Sequence, residues 1–246
     1  MDKLLYVAMS GAKETLASQA ANNDNLANAN TTGFKASLSA FQTRSVVGAG
    51  FPSRAYATAS AVGWNDTAGE QTTTANPLDV AVQGSGFIAV QDIAGAEAYT
   101  RAGDFHIDPN GALVTAGGRP VLSENGPIAI PPASSVSIGA DGTVSVVPLG
   151  QTPNSVAAVG RIKLVNPGHD AVTRGSDGLY RATDGSTPET DSNVQLSSGV
   201  LEASNVSITG CLVNMIELAR RFEVQIKALH TAEEDGQASA KLLQSS

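Results

Sequence analysis

Residues 3–30 read KLLYVAMSGAKETLASQAANNDNLANAN, and residues 205–243 read NVSITGCLVNMIELARRFEVQIKALHTAEEDGQASAKLL. In the first stretch Leu5, Met9, Ala12, Leu16, Gln19, Asn23 and Leu26 recur at alternating steps of four and three. In the second, Ile208, Cys211, Met215, Leu218, Phe222, Gln225 and Leu229 recur at steps of three and four. Such a repeat places one residue on the same helix face every turn or so, which is the seam of a coiled coil. Prolines agree, because none precedes Pro52 and none follows Pro188. Two helical seams at opposite ends of one chain are expected to pair, an architecture suited to a subunit of an assembly more than to an enzyme.

The first helix is expected over 3–30 and would be about 40 Å long; the second, over roughly 205–243, would span about 60 Å. Asn22, Asn23, Asn25, Asn28 and Asn30 crowd the end of the first. Asparagine is a mediocre helix former, but in a seam it fixes register, a role assigned here to Asn23. Gly33 is expected to stop the helix with a positive φ. Asn205 is the expected N-cap of the second helix, and Glu217 with Arg221 and Glu223 with Lys227 have the favourable four-residue spacing. Gly236 weakens that helix by about 1 kcal/mol relative to alanine.

Between the helices the chain changes character. Of its 25 glycines, 16 fall between Gly84 and Gly185, so turns dominate this part. Leu78 to Val82 alternates with period two, and Gly86 to Gln91, Tyr99 to Arg101 and Phe105 to Ile107 read as strands. Asp108-Pro109-Asn110-Gly111, Asp141-Gly142, Asp177-Gly178 and Asp184-Gly185 are turn sequences. Residues 35–76 lack a period and are expected to form an extended arm with a strand pair. The expected fold is α+β: an N-terminal helix over 1–34, an arm over 35–76, an antiparallel β domain (barrel or sandwich) over 77–200, and a C-terminal helix over 201–246.

The chain's formal net charge of −8 argues against nucleic acid as a partner, and against anionic lipid. No apolar run approaches the ~20 residues needed to span a bilayer. The start carries an apolar patch of about seven residues beside both Asp2 and Lys3, which is not the pattern of a signal peptide. With one cysteine, Cys211, an intrachain disulfide is impossible.

Reactive constellations are scarce. His106, His169 and His230 lie in different predicted elements, without metal-ligand spacing. His106 and Asp108 read as strand surface, and Asp108 to Gly111 as a turn lacking the remaining ligands of a calcium loop. Gly84-Ser85-Gly86 is neither a nucleophile elbow nor a phosphate loop. Glu233 to Asp235 read as a solvated helix step, and Cys211 as a packing thiol. No catalytic, cofactor or metal site is expected, and no small-molecule substrate.

Four segments nevertheless carry a resemblance. Asn25 to Lys35 (NLANANTTGFK), with Asn28, Asn30, Thr32, Gly33 and Phe34, resembles the N-terminal signature of bacterial flagellar rod and hook proteins. Gly84 to Phe87, containing Gly86, followed by Ala98 to Phe105 with Tyr99, Thr100, Arg101 and Gly103, resembles that group's β-domain motif. Asp108 to Thr115 continues it, and Leu201 to Val206 resembles the approach to the group's C-terminal helix. The segments come in the family's order and reach across nearly the whole chain. The opening, Met1 to Ala12, is most similar to members that build the proximal rod; distal-rod and hook members are the near alternatives.

The resemblance implies a structural subunit of the basal-body rod, located in the periplasm and exported unprocessed through the flagellar type III apparatus. It implies partners among other rod proteins and copies of the same chain, with terminal helices forming an inner core and the β domain outside. Leu5, Met9, Leu16, Asn23, Leu26, Ile208, Met215, Leu218, Phe222 and Leu229 are then expected to pack between helices and between subunits. A coiled-coil adhesin or a peptidoglycan-acting enzyme would need an anchor or a placed carboxylate pair, and neither is found in the sequence.

Overall fold

A computed structural model describes residues 2–45, 55–151 and 155–244. In chain order the elements are α1 (Asp2–Ala27), β1 (Ser37–Ser45), β2 (Ala55–Trp64), β3 (Gln71–Thr73), β4 (Val80–Gln83), β5 (Phe87–Gln91), β6 (Glu97–Thr100), β7 (Phe105–Ile107) and β8 (Leu113–Thr115). Then follow β9 (Leu122–Ser123), β10 (Gly126–Pro127), β11 (Ala133–Ile138), β12 (Thr143–Pro148), β13 (Ala157–Arg161) and β14 (Leu164–Val165). The chain closes with β15 (Val172–Arg174), β16 (Tyr180–Ala182), β17 (Gln195–Ser198), β18 (Val200–Glu202) and α2 (Ile208–Gln244). It divides into two compact units: a helical unit of residues 1–29, 36–65 and 206–246, and a β unit of residues 30–35 and 66–205.

In the helical unit α1 and α2 run antiparallel, since Asn22 meets Cys211 while Thr15 and Gly11 meet Gln225. The Asn22 amide donates to the Cys211 carbonyl at 2.9 Å, and the Thr15 hydroxyl donates to Gln225 Oε1 at 3.0 Å. Among the described side chains of α1, the buried ones are Ala12, Thr15, Ser18 and Asn22. This seam is one residue out of step with the apolar heptad, a rotation of about 100°. Its residues are small or hydrogen-bonding, so the helices approach closely and Thr15 and Asn22 bond across the contact, while Ser18 Oγ is buried without a partner among the described residues. The seam asparagine is therefore Asn22, not Asn23, which is exposed.

The N-cap of α2 also differs from expectation. Ser207 Oγ accepts the Gly210 amide at 3.2 Å, while the Asn205 side chain donates to the Thr67 carbonyl at 2.8 Å within the β unit. Ser207 thus supplies the acceptor that the first-turn amides lack. The helix continues through Gly236, and Glu217 and Arg221 stand 3.8 Å apart on its exposed surface.

The residues after α1 form an antiparallel ribbon, β1 with β2, running from Ser37 opposite Trp64 to Ser45 opposite Ala55. Asn25 holds its base by a reciprocal pair: its amide donates to the Ser37 carbonyl at 2.9 Å, and the Ser37 amide donates to Asn25 Oδ1 at 2.7 Å. Of the arm expected over 35–76, residues 46–54 lie outside the described residues.

The β unit is wholly antiparallel in its ladders. A five-stranded sheet has the order β14-β5-β6-β16-β15, a three-stranded sheet the order β11-β12-β13, and β17-β4, β18-β3, β7-β8 and β9-β10 are paired ribbons. Val80, Val82, Ile88, Val90, Leu113, Val121, Val144, Ile162, Leu164 and Leu196 meet in one core, each at most 1% exposed. Each such side chain contributes about 1.5–3 kcal/mol on burial, and this core supports the unit despite its short strands. Ala81 is buried as well as Val80 and Val82, so β4 is covered on both faces where alternation predicts one.

Candidate functional site

Two features stand out, one in each unit. In the β unit, three segments far apart in sequence converge on a buried charge cluster. Glu202, at the end of β18, is 1% exposed; its Oε1 accepts from Lys35 Nζ at 2.6 Å and its Oε2 from Arg101 Nε at 2.9 Å. The Gly69 amide adds a bond to Oε1 at 3.0 Å, and Lys35 Nζ also donates to the Thr67 carbonyl at 2.8 Å. Arg101 turns its other nitrogens onto the glycine loop, with Nη1 donating to Gly86 O and Nη2 to Gly84 O, each at 2.9 Å. Few donors or acceptors in the cluster are left over, which is what allows charges to be buried at all.

The electrostatics follow from burial and pairing. Burial pushes the Lys35 ammonium below its usual pKa, against the opposing pull of the Glu202 carboxylate. Burial alone would raise Glu202, but the Arg101 and Lys35 charges outweigh it and hold the carboxyl below its usual value.

Backbone geometry explains two glycines here. Gly33 has φ 66°, and a Cβ there would lie 2.3 Å from the Arg101 carbonyl carbon. It is therefore a close-approach residue in the β unit, six positions beyond the end of α1, and not the helix stop. A Cβ on Gly103 would lie 1.8 Å from the Val80 carbonyl oxygen, so only glycine lets these strands meet.

The remaining signature residues surround the cluster or fill the core. The Phe34 ring lies under the Arg174 guanidinium, 4.0 Å away, and Arg174 also donates to the Lys35 carbonyl at 3.0 Å. Phe87 packs on Tyr180 with ring centroids 4.9 Å apart, and Tyr99 and Phe105 are buried. Thr100 Oγ1 accepts the Ala102 amide at 3.0 Å and shapes the turn after Arg101. Asn28 bonds to Asp24 one turn back, whereas Asn30 is exposed and Thr32 half-buried. Lys35 and Glu202 were not singled out by pattern. The available signal was a lone charge in each of the two terminal motifs, Lys35 and Glu202, in a chain with only 15% charged residues.

The second feature is the uncovered surface of the helical unit. On α1, Tyr6, Met9 and Leu16 are 50%, 53% and 51% exposed. On α2, Ile208, Leu212, Val213, Ile216 and Val224 are exposed. Leu218 and Cys211 are buried, and Met215, Phe222 and Leu229 are half-buried, as are Leu5 and Leu26 on α1. The expected packing residues thus separate into an inward set on α2 and an outward set led by Met9, Leu16 and Ile208.

A chain whose two ends pair as antiparallel helices and keep apolar stripes uncovered is a structural building block of a larger assembly. Comparison with known proteins names that assembly. Residues 5–35 match the family described as flagella basal body rod protein, residues 81–146 the flagellar hook protein FlgE/F/G D1 domain, and residues 197–242 the flagellar basal body rod FlgEFG protein C-terminal region. The chain is 43% identical over 249 residues to the flagellar basal-body rod protein FlgF of Escherichia coli (strain K12), covering 99% of each. It is 42% identical to FlgF of Salmonella typhimurium (strain LT2), again over 99% of each. It is 34% identical to the flagellar basal-body rod protein FlgG of Bacillus subtilis (strain 168), over 95% of this chain and 96% of that one. The chain belongs to the flagellar basal-body rod protein family and is a structural, non-catalytic subunit of the rod.

Proposed function

We propose that this chain builds the proximal part of the rod, the periplasmic shaft that passes torque from motor to hook. The near-complete match to FlgF relatives supports that position over the distal one. The observation that carries the mechanical reading is the apolar surface left uncovered on the helix pair, with Met9 and Leu16 about half exposed. Neighbouring rod proteins and further copies of the chain cover that surface on assembly, each buried leucine or methionine contributing about 1.5–3 kcal/mol. Contacts of this heterologous kind do not close on themselves and so generate a helical tube.

In this reading Leu5, Met9, Leu16, Asn23, Leu26 and Ile208 serve contacts between subunits, and Met215, Leu218, Phe222 and Leu229 serve mainly the helix pair. The chain leaves the cell through the flagellar type III export apparatus. A photo-crosslinking residue at Leu16, activated in purified basal bodies, tests the assembly surface. The expected product joins this chain to a rod protein or to a second copy; a crosslink only within the same chain would contradict the assignment.

A further inference from the structure

Asp79 and Asp104 are partners in an antiparallel bridge. The Val80 amide donates to the Gly103 carbonyl at 2.9 Å, which puts the two aspartates in the non-hydrogen-bonded position of the ladder. There the opposed Cα atoms come within about 4.5 Å and both side chains leave on the same face. Gly103, by lacking a Cβ, permits this approach. Two like charges directly opposite on a sheet are destabilising.

Their surroundings do not relieve the repulsion. Asp79 is 8% exposed, and its Oδ1 accepts the Asn76 amide at 2.9 Å. Asp104 Oδ1 is shielded from solvent and has no hydrogen-bond partner among the described residues. No lysine or arginine among the described residues forms an ion pair with either aspartate. The charged or titratable groups acting on Asp104 are Asp79, across the bridge, and His106, on β7. Burial, with the Asp79 charge added to it, raises the Asp104 carboxyl above its usual pKa, against the opposing pull of its own backbone amide and of His106.

We infer that Asp79 and Asp104 hold one proton between them, forming a proton-dependent clasp that joins the start of β4 to the start of β7. The proton comes from water and sits on the otherwise unpartnered oxygen of Asp104. That O–H then donates to the Asp79 carboxylate, turning a repulsion into a hydrogen bond. Loss of the proton restores two facing negative charges in a shielded position. The clasp tightens as pH falls, opposite in sense to the Glu202 ion pairs, which weaken on acidification. The β unit thereby gains a stabilising response to mild acid at this pair.

The sign is fixed by linkage. A folded carboxyl with a raised pKa keeps a proton that the unfolded chain releases, so its contribution falls as pH rises above about 4. The test is the thermal midpoint of the full chain from pH 4 to 8, for wild type, Asp104→Asn and Asp79→Asn, with carbon-13 titration of aspartate carboxyls in the wild type. The expected result is a wild-type midpoint that drops with rising pH relative to Asp104→Asn, and a higher midpoint for that variant at pH 7. One aspartate carboxyl should titrate above the ordinary range and shift downward in Asp79→Asn, where burial still holds it up but the facing charge is gone. Identical pH profiles for wild type and Asp104→Asn, or ordinary titration of every aspartate in the wild type, would overturn the inference. Should the variants fail to fold, the wild-type carboxyl titration decides alone.

Discussion

Lys35 and Glu202 are separated by 167 positions in sequence, yet Lys35 Nζ lies 2.6 Å from Glu202 Oε1, with both side chains 1% exposed. Lys35 lies on the segment that follows α1 and Glu202 on the segment that precedes α2, and Arg101 reaches the same carboxylate from the β-domain motif. Three of the four stretches that carry the family resemblance are therefore sides of one electrostatic contact within the β unit.

Removing the shared acceptor should cost far more than removing one donor. Glu202→Gln leaves Lys35 and Arg101 buried without a counter-charge, a loss of about 3–5 kcal/mol. Lys35→Met leaves Glu202 with Arg101 and the Gly69 amide, so its loss should be the smaller. Urea unfolding of the full chain measures both, and equal losses would show that the carboxylate is not the hub.

Acid should weaken the β unit through two carboxylates. The Arg181 hydrogen bond holds Asp177 at about 2. The Arg101 and Lys35 charges hold Glu202 below its usual value despite its burial. A carboxyl with a depressed folded pKa contributes stability above its unfolded pKa, near 4, and loses it as pH falls through the folded value. Asp177→Asn should lower stability at pH 7 and flatten the profile between about pH 4 and 2.

Glycine replacements separate backbone strain from close approach. At Gly118 φ is 72° and nothing lies within 4 Å of an added Cβ, so Gly118→Ala should cost only the left-handed conformation, about 1–2 kcal/mol. At Gly33 φ is similar, but the Cβ would fall 2.3 Å from the Arg101 backbone. Gly33→Ala should lower the thermal midpoint distinctly more than Gly118→Ala.

How much of this was readable depends on what each pattern records. The α2 heptad runs through Ile208, Cys211, Met215, Leu218, Phe222, Gln225 and Leu229, and all but the exposed Ile208 are buried or half-buried. On α1 the repeat counts apolar residues, whereas the contact within the chain selects Gly11, Thr15, Ser18 and Asn22 by size and hydrogen bonding. Asn205 and Ser207 are both good capping types, and residue preference does not choose between positions two apart. Turn sequences and the antiparallel β domain were legible because glycine and aspartate act locally. The Lys35–Glu202 pair was not, because no local rule links residues so distant.

The outward and inward helix residues should behave differently when made acidic. Met9→Asp and Leu16→Asp replace exposed side chains, so circular dichroism of the isolated chain should match wild type while motility in complemented cells is lost. Leu218→Asp buries a charge in the helix pair, so helical signal and motility should fall together.

The most direct test of the central claim is electron microscopy of basal bodies purified from cells lacking this chain. Non-motile cells whose basal bodies end within the rod are expected. Complete rods bearing hooks, in cells that still swim, would contradict that claim.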